Sequence, residues 1–175
     1  IHNAKAEVEP GAAESWTISP DGKVYTFKLR AGATWSDGSP VTANDFVFSW
    51  QRICDPATAA EYAYMLAPVM NAEDVTAGKK KPDELGVKAV DDMTFEVTLN
   101  APTPYFLEML THQATYPVSK ANVEAKGADF VKPGNLVSNG AYTLAEFVPN
   151  DHVKAVKSPK FYDAANVKID VVNFI

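Results

Sequence analysis

The chain has few of the residues from which catalytic or metal sites are built. It contains one cysteine, Cys54, and three histidines, His2, His112 and His152, which lie far apart in the sequence. One cysteine cannot form an internal disulfide, and scattered histidines do not give the spacing of a metal site. Motifs of nucleophile elbows, phosphate-binding loops and zinc proteases are missing. We therefore expect a protein that is not an enzyme and that needs neither a metal nor a cofactor.

Long apolar runs and an excess of positive charge are also missing. No stretch of about 20 apolar residues predicts a membrane-spanning segment, and neither a signal peptide nor a lipoprotein cysteine motif is present. Asp and Glu total 22 against 16 Lys and Arg, for a net charge of −6. This balance disfavours nucleic acid as a partner, and the lysine cluster at 79–81 is too small to form a nucleic-acid-binding face.

The composition is that of a folded domain. The 175 residues are 46% hydrophobic and 22% charged, which is enough apolar surface to bury a core. We expect Cys54 to be a small residue of that core, because it falls on the apolar stripe of a predicted helix.

The early part of the chain predicts a β-hairpin. Residues 23–30 alternate apolar and polar side chains, with Tyr25, Phe27 and Leu29 on one face, the pattern of a half-buried strand. Residues 14–19 are the expected partner strand. The Pro20-Asp-Gly sequence between them supplies a turn, because proline presets φ and glycine accepts a positive φ.

A capped helix is predicted over residues 43–53. Thr42 precedes Asp45 by three residues, so a hydroxyl and a carboxylate are placed to satisfy the free amides of a helix start. Five apolar side chains then follow at helical spacing and predict a face toward a core: Phe46, Val47, Trp50, Ile53 and Cys54.

The remaining pattern predicts an α+β fold. Further helices are expected at 57–70, 71–77 with Asn71 as N-cap, 104–110 and 119–126. Further strands are expected at 87–91, 94–99, 141–148, 152–157 and 168–174.

Residues 13–50 carry the hairpin, a loop and the capped helix in one run, AESWTISPDGKVYTFKLRAGATWSDGSPVTANDFVFSW. Further blocks follow in order, among them EYAYML at 61–66, DELGVKA at 83–89, TFEVTL at 94–99 and SNGAY at 138–142. Together they resemble the extracellular solute-binding proteins, family 5, of peptide ABC importers, and most of all the oligopeptide-binding subgroup. The resemblance implies part of a periplasmic binding protein type II-like fold. Since members of that family are several hundred residues long, we expect the chain to be a piece of a longer protein.

The resemblance also implies what the whole protein does. It would capture oligopeptides by closing two lobes around them and deliver them to the permease subunits of an ABC transporter. Residues 1–118 are expected to form the small peptide-contacting lobe, and residues 119–175 a partial return into the main lobe. The implied location is the periplasm, or a lipid anchor on the outer face of the cytoplasmic membrane in a Gram-positive. We expect the 175 residues alone to bind peptide weakly or not at all.

Two side chains are candidate ligand contacts on the strength of that resemblance. Tyr62, in EYAY, matches a tyrosine that touches bound peptide in oligopeptide-binding relatives, and a flat ring with a hydroxyl suits a ligand of varied side chains. For Tyr64 the expectation is packing between helices. His112 matches a histidine that lines the ligand cleft. If protonated it could pair with a peptide carboxylate, but a histidine at a helix end commonly compensates the helix dipole, and both interpretations stay open.

Other roles are not excluded by the sequence. Trp35 and Asp37 belong to the shared run, and we expect them to be structural, the tryptophan filling the lobe and Asp37 bonding turn amides ahead of Gly38. Another ligand within the family, such as murein peptide, a dipeptide or a nickel chelate, is an alternative. A protein-interaction module with an exposed sheet edge is an alternative of another class, and self-association would be its sign.

Overall fold

The computed structural model describes residues 1–175 and divides into two compact units. The first unit consists of residues 1–31 and 42–117, and the second of residues 32–41 and 118–175. The strands are β1 Ala13–Ile18, β2 Val24–Leu29, β3 Val87–Asp91, β4 Thr94–Thr98, β5 Tyr142–Val148, β6 His152–Lys157 and β7 Val171–Phe174. The helices are α1 Ala43–Cys54, α2 Ala72–Thr76, α3 Phe106–Met109 and α4 Lys120–Lys126. Helices and antiparallel strands occur together, so the α+β prediction is confirmed.

A four-stranded antiparallel sheet in the order β1-β2-β4-β3 supports the first unit. It contains the predicted hairpin of β1 and β2, and the predicted strands β3 and β4 pair as a second hairpin. The register places Tyr25 opposite Val97 and Phe27 opposite Phe95, and all four side chains are buried. The first hairpin turns at Gly22, which has a φ of +70°. The period-two pattern therefore predicted both the strands and the face that they bury.

Helix α1 begins and packs as its sequence predicts. The Asp45 carboxylate accepts hydrogen bonds from the backbone N–H of Thr42 at 2.9 Å and from the Thr42 hydroxyl at 3.1 Å. Trp50 and Cys54 lie inside the core. The rest of the predicted stripe is partly buried against that core: Phe46, Val47 and Ile53.

The predicted helix over 57–70 is wrong. This segment contains two 3-10 turns, Pro56–Thr58 and Ala63–Leu66, and no α-helix. Ala59 has a left-handed φ of 51°, which ends the first turn, and Pro68 has no N–H with which to continue a helix. The consequence for the candidate site is that Tyr62 and Tyr64 lie on a turn.

Two other helices differ from prediction in detail. Asn71 precedes α2, but its φ of 66° is left-handed and its side chain makes no cap bond; instead it donates to the carbonyl oxygen of Glu84 at 2.7 Å. Helix α3 covers only Phe106–Met109 of the predicted 104–110, with Leu110 as C-cap. Phe106 is fully buried and provides the anchor of this short helix.

The second unit contains a three-stranded antiparallel sheet in the order β5-β6-β7. Strand β7 begins at Val171, later than the predicted start at 168. Just before it, the carbonyl oxygen of Ile169 accepts a hydrogen bond from the hydroxyl of Tyr142 at 3.0 Å. Helix α4 follows Ser119, whose hydroxyl accepts from the N–H of Asn122 at 3.3 Å.

The loop around Trp35 also belongs to the second unit. Trp35 is buried, with 2% of its surface exposed. The Asp37 carboxylate accepts from the N–H of Ser39 at 2.9 Å, and Gly38 adopts a φ of +92°. Both side chains thus stabilise the fold in the way the sequence predicts.

Candidate functional site

Tyr62 and His112 lie side by side in the first unit. Their ring centroids are 5.2 Å apart, and the ring planes are inclined by 41°. The ring of Tyr64 lies 5.9 Å from that of Tyr62. We call these three residues the aromatic cluster. The structure therefore brings together the two side chains that the resemblance predicts to contact a ligand, and Tyr64 adds a third ring.

The cluster faces outward. Tyr62 is 45% exposed and Tyr64 is 63% exposed, so the expectation that Tyr64 packs between helices is wrong. Ala63 and Leu66 anchor the turn that carries both tyrosines, because their side chains are buried in the first unit, with 6% and 0% of their surface exposed. Alternate side chains of this turn therefore point into the core and into solvent. The hydroxyl of Tyr62 makes no hydrogen bond within the chain, which leaves it available to a ligand.

His112 sits at the start of the 3-10 turn Gln113–Thr115. Its Nδ1 accepts a hydrogen bond from the backbone N–H of Ala114 at 3.2 Å. The ring thus caps the turn as a hydrogen-bond acceptor. A histidine that compensates a helix dipole would act as a cation, and an Nδ1 that accepts a hydrogen bond does not fit that role.

Two hydrogen-bonding residues fix the loop that carries His112. The Thr115 hydroxyl lies within hydrogen-bond distance of the carbonyl oxygens of Leu110, at 2.9 Å, and His112, at 2.8 Å. The carbonyl of Thr115 in turn accepts from the indole Nε1 of Trp50 at 2.9 Å. Since Trp50 is buried in α1, the loop is tied to the core. The sequence contained no signal for Thr115, because nothing in its local pattern marks a residue 65 positions from its partner.

The cluster has the chemistry of a contact surface. It offers aromatic faces, two phenolic hydroxyls and an imidazole, which can hold a ligand by stacking and hydrogen bonds. No carboxylate hydrogen-bonds to His112 to form a catalytic pair. No group of three or more His, Cys, Asp or Glu side chains is placed to hold a metal ion.

The remaining histidines lie elsewhere. His2 makes an isolated bridge with Val8 near the start of the chain. In the second unit, His152 lies between two carboxylates, with Nδ1 2.8 Å from Asp151 and Nε2 3.1 Å from Glu146. The hydrogen bonds from Asp151 and then Glu146 raise the pKa of His152 above its usual value.

A separate apolar pocket of about 130 Å³ opens in the first unit. Neither Tyr62 nor His112 lines it. Its walls are mainly core side chains, among them Phe27, Leu29, Phe46, Trp50, Phe95 and Leu110. Polar residues also line it, namely Glu9, Thr115 and Tyr116. None of the helices in the structure is long and apolar enough to cross a membrane.

Comparison with known proteins agrees with this fold. The family model described as bacterial extracellular solute-binding proteins, family 5, middle region, matches residues 7–175. The chain is 48% identical over 168 residues to the periplasmic oligopeptide-binding protein OppA of Escherichia coli K12, which covers 95% of the chain and 31% of that protein. It is 45% identical over 175 residues to the periplasmic murein peptide-binding protein MppA of the same organism. This match covers 99% of the chain and 32% of that protein.

A solved structure is similarly close. The chain superposes on Haemophilus influenzae OppA in complex with the peptide RPPGFSPFR with a TM-score of 0.97 and 45% identity, covering 99% of the chain and 34% of that structure. The chain belongs to the family 5 extracellular solute-binding proteins. The relatives named here are peptide-binding proteins. The chain spans about a third of the length of the relatives that it matches.

Proposed function

We propose that the chain is part of an extracytoplasmic protein that binds oligopeptides and delivers them to the permease subunits of an ABC importer. The observation that carries this proposal is the 48% identity to an oligopeptide-binding protein across 95% of the chain. In the proposed mechanism, two lobes close around an extended peptide, whose main chain supplies most of the hydrogen bonds. The protein acts by binding, without catalysis and without a cofactor, in the periplasm or lipid-anchored on the outer face of the cytoplasmic membrane.

Within this mechanism we assign residues 1–118 to the small peptide-contacting lobe, apart from the loop at 32–41, which belongs to the second unit, and residues 119–175 to part of the main lobe. Tyr62 and His112 contact the peptide. The support for this assignment is that the two rings are adjacent, that Tyr62 is 45% exposed and that its hydroxyl has no partner in the chain. An exposed aromatic ring with a free hydroxyl stabilises a peptide through its face and binds main-chain groups or water through its oxygen.

The test is isothermal titration of the whole protein with peptides of two to five residues. Wild-type protein should bind, and Tyr62→Ala should weaken binding by about tenfold, the effect of losing one well-packed aromatic contact. The matched control is Tyr105→Ala in the same unit, since Tyr105 is 61% exposed and makes no ring contact with the cluster. Equal losses from both substitutions would argue against the assigned site. Absence of binding by the wild type would argue against the function.

The 175-residue chain provides a second measurement. Most of the proposed clamp lies outside it, so we expect weak peptide binding or none. Clear micromolar binding by this chain would mean that these 175 residues contain a complete site.

Murein peptide is the second candidate ligand. The observation in its favour is that the identity to the murein peptide-binding relative, 45%, is almost as high as that to the oligopeptide-binding one. Competition between a murein tripeptide and an unrelated tripeptide for the whole protein would separate the two. Selective displacement by the murein peptide would favour this second candidate.

A further inference from the structure

The apolar pocket of the first unit has the size of one aromatic ring. Its volume is about 130 Å³, and every residue that lines it belongs to that unit. An apolar cavity of about 150 Å³ in a protein core is large enough to bind benzene. A helix or strand of a partner protein would instead need a groove with places for several side chains in a row. The pocket therefore fits a small molecule better than a protein segment.

The floor of the pocket is buried and apolar. It consists of Phe27, Leu29, Trp50 and Phe95, each with 5% or less of its surface exposed. Nε1 of Trp50 is the only polar atom of these four side chains, and it already donates to the carbonyl oxygen of Thr115 at 2.9 Å. Since a buried water molecule needs roughly two to four polar partners, this floor favours an apolar occupant.

The aromatic rings of the wall pack against each other in arrangements that a further ring could extend. The ring of Phe95 lies 5.2 Å from that of Trp50 at an interplanar angle of 86°, and 5.4 Å from that of Phe46. Phe27 stacks on Phe95 at 6.2 Å. Edge-to-face and offset pairs at such distances are favourable. A ring in the pocket would also supply the dispersion contacts that atoms beside a gap lack.

The rim of the pocket restricts the charge that a ligand can carry. Ile1 and Tyr116 are 49% and 50% exposed, so the pocket opens beside them. The hydroxyls of Tyr116 and Thr115 are already engaged with carbonyl oxygens of the chain. No Lys, Arg or His lines the pocket, and its only carboxylate is that of Glu9, which is exposed. A ligand with a carboxylate would therefore lose hydration without gaining a cation as its partner.

We propose that this pocket is a second binding site, separate from the aromatic cluster, for a neutral apolar molecule of one ring. Tyr62, Tyr64 and His112 do not line the pocket. The inference is therefore independent of the proposed function, and a failure to bind peptide would leave it standing.

The first test measures the binding of benzene to the whole protein by NMR. With ¹³C in the methyl groups of Leu, Ile and Val, intermolecular NOEs identify the methyls that benzene touches. We expect NOEs to Leu29 and Leu107, which line the pocket, and none to Leu66 and Val75, which are fully buried outside it. A ligand this small reaches a dissociation constant on the order of 1 mM. Absence of binding, or NOEs that bypass Leu29 and Leu107, would overturn the inference.

The second test concerns the chemical class of the ligand. Benzoate has the same ring as benzene and adds an ionised carboxylate at neutral pH. We expect it to bind about tenfold more weakly than benzene or not at all, because burial of a charge without a partner is unfavourable. Equal affinities for the two molecules would overturn the assigned class.

The third test fills the pocket by substitution. Ala13 lines the pocket and is partly buried against the core, so Ala13→Leu places a larger side chain in the space of the ligand. We expect benzene binding to fall by about tenfold or more, since interiors of close-packed side chains do not accommodate both groups. The matched control is Ala89→Leu, because Ala89 is partly buried against the same core and does not line the pocket.

Thermal unfolding checks that both alanine variants are folded. Undiminished binding by folded Ala13→Leu, or an equal loss in both variants, would overturn the inference. If Ala13→Leu does not fold, the NOEs to Leu29 and Leu107 decide. Tyr62→Ala should leave benzene binding unchanged, and a loss there would overturn the inference by placing benzene in the aromatic cluster.

Discussion

The indole Nε1 of Trp50 donates a hydrogen bond to the carbonyl oxygen of Thr115 at a distance of 2.9 Å. Both residues are buried, Trp50 at 2% and Thr115 at 4% exposure. This bond joins the interior of helix α1 to the loop that carries His112. The position of the candidate site thus depends on a buried contact in the core.

Trp50→Phe should therefore destabilise the protein and disturb the site. The carbonyl of Thr115 would lose its donor in a buried environment, which costs about 1–3 kcal/mol in the free energy of unfolding. Urea denaturation of the 175-residue chain, followed by circular dichroism, measures this loss. The control is Trp16→Phe, because Trp16 packs against the same core and its indole makes no hydrogen bond. Equal destabilisation by both variants would show that ring volume, and not the hydrogen bond, is what matters.

Cys54 should be unreactive in the folded protein. Burial raises the pKa of its thiol to about 11, against a smaller opposing effect of a hydrogen bond with Thr76. Because the thiolate is the reactive species, we expect Ellman's reagent at pH 8 to label Cys54 only as fast as the chain opens. Full labelling in denaturant is the control. Rapid labelling without denaturant would contradict the buried position.

Gly86→Ala should destabilise the first unit. A Cβ at this position would lie 2.8 Å from the carbonyl oxygen of Thr98 and 2.7 Å from the Cβ of Met70. The backbone oxygen cannot move without breaking its own hydrogen bond to the N–H of Met70. We expect a loss of about 1–3 kcal/mol in urea denaturation.

Gly11→Ala is the matched control for that substitution. Its Cβ would also meet a close neighbour, at 2.9 Å, but the neighbour is the side chain of Ile1, which is half exposed and can move aside. A loss at Gly11 as large as that at Gly86 would contradict the distinction between a backbone and a side-chain neighbour.

His152 should titrate above the usual histidine value of 6.5, since Asp151 and then Glu146 favour its charged form. Because the pKa of His152 is raised, its hydrogen bonds with the two carboxylates stabilise the fold fully when the pH is below the pKa of histidine in the unfolded chain. This stabilisation is lost as the pH rises through the pKa of His152 in the folded protein. The pKa of Glu146 is lowered, first by Lys154 and then by His152, so the contribution of Glu146 is lost as pH falls through that lower value. NMR titration of the His152 ring measures the effect.

Substitutions around His152 provide the check. Both Asp151→Asn and Glu146→Gln should bring its pKa down toward the usual value, with the larger change for Asp151→Asn because its hydrogen bond has the larger effect. A pKa that does not change in either variant would contradict the assigned cause.

Elements fixed by local chemistry could be predicted from the sequence. The alternation of Tyr25, Phe27 and Leu29 specified a strand and its buried face, and the pair Thr42 and Asp45 specified the start of α1. In each case the signal and the structure lie within a few neighbouring residues, so side-chain periodicity and capping are sufficient. The resemblance likewise identified the family from motifs that are continuous in the chain.

Predictions failed where tertiary packing overrides local preference. The alanine-rich segment 57–70 has good helix formers, yet Ala59 is left-handed and the chain forms 3-10 turns. Asn71 has a side chain suited to an N-cap, but that side chain bonds Glu84 instead. A propensity is worth less than about 1 kcal/mol per residue, so a few distant contacts outweigh it.

The sequence by itself determined which residues form the two hairpins and α1, and which family the chain belongs to, because these depend on order and spacing along the chain. Only the tertiary structure decided that Tyr62 lies against His112, that Tyr64 is exposed beside them, and that Nδ1 of His112 is already engaged. The contact of Tyr62 with His112 depends on residues brought together across a long separation, as Trp50 and Thr115 are. The other two facts depend on turns that packing against the core holds in place. Such contacts follow from the packing of the whole core and leave no periodic signal in the sequence.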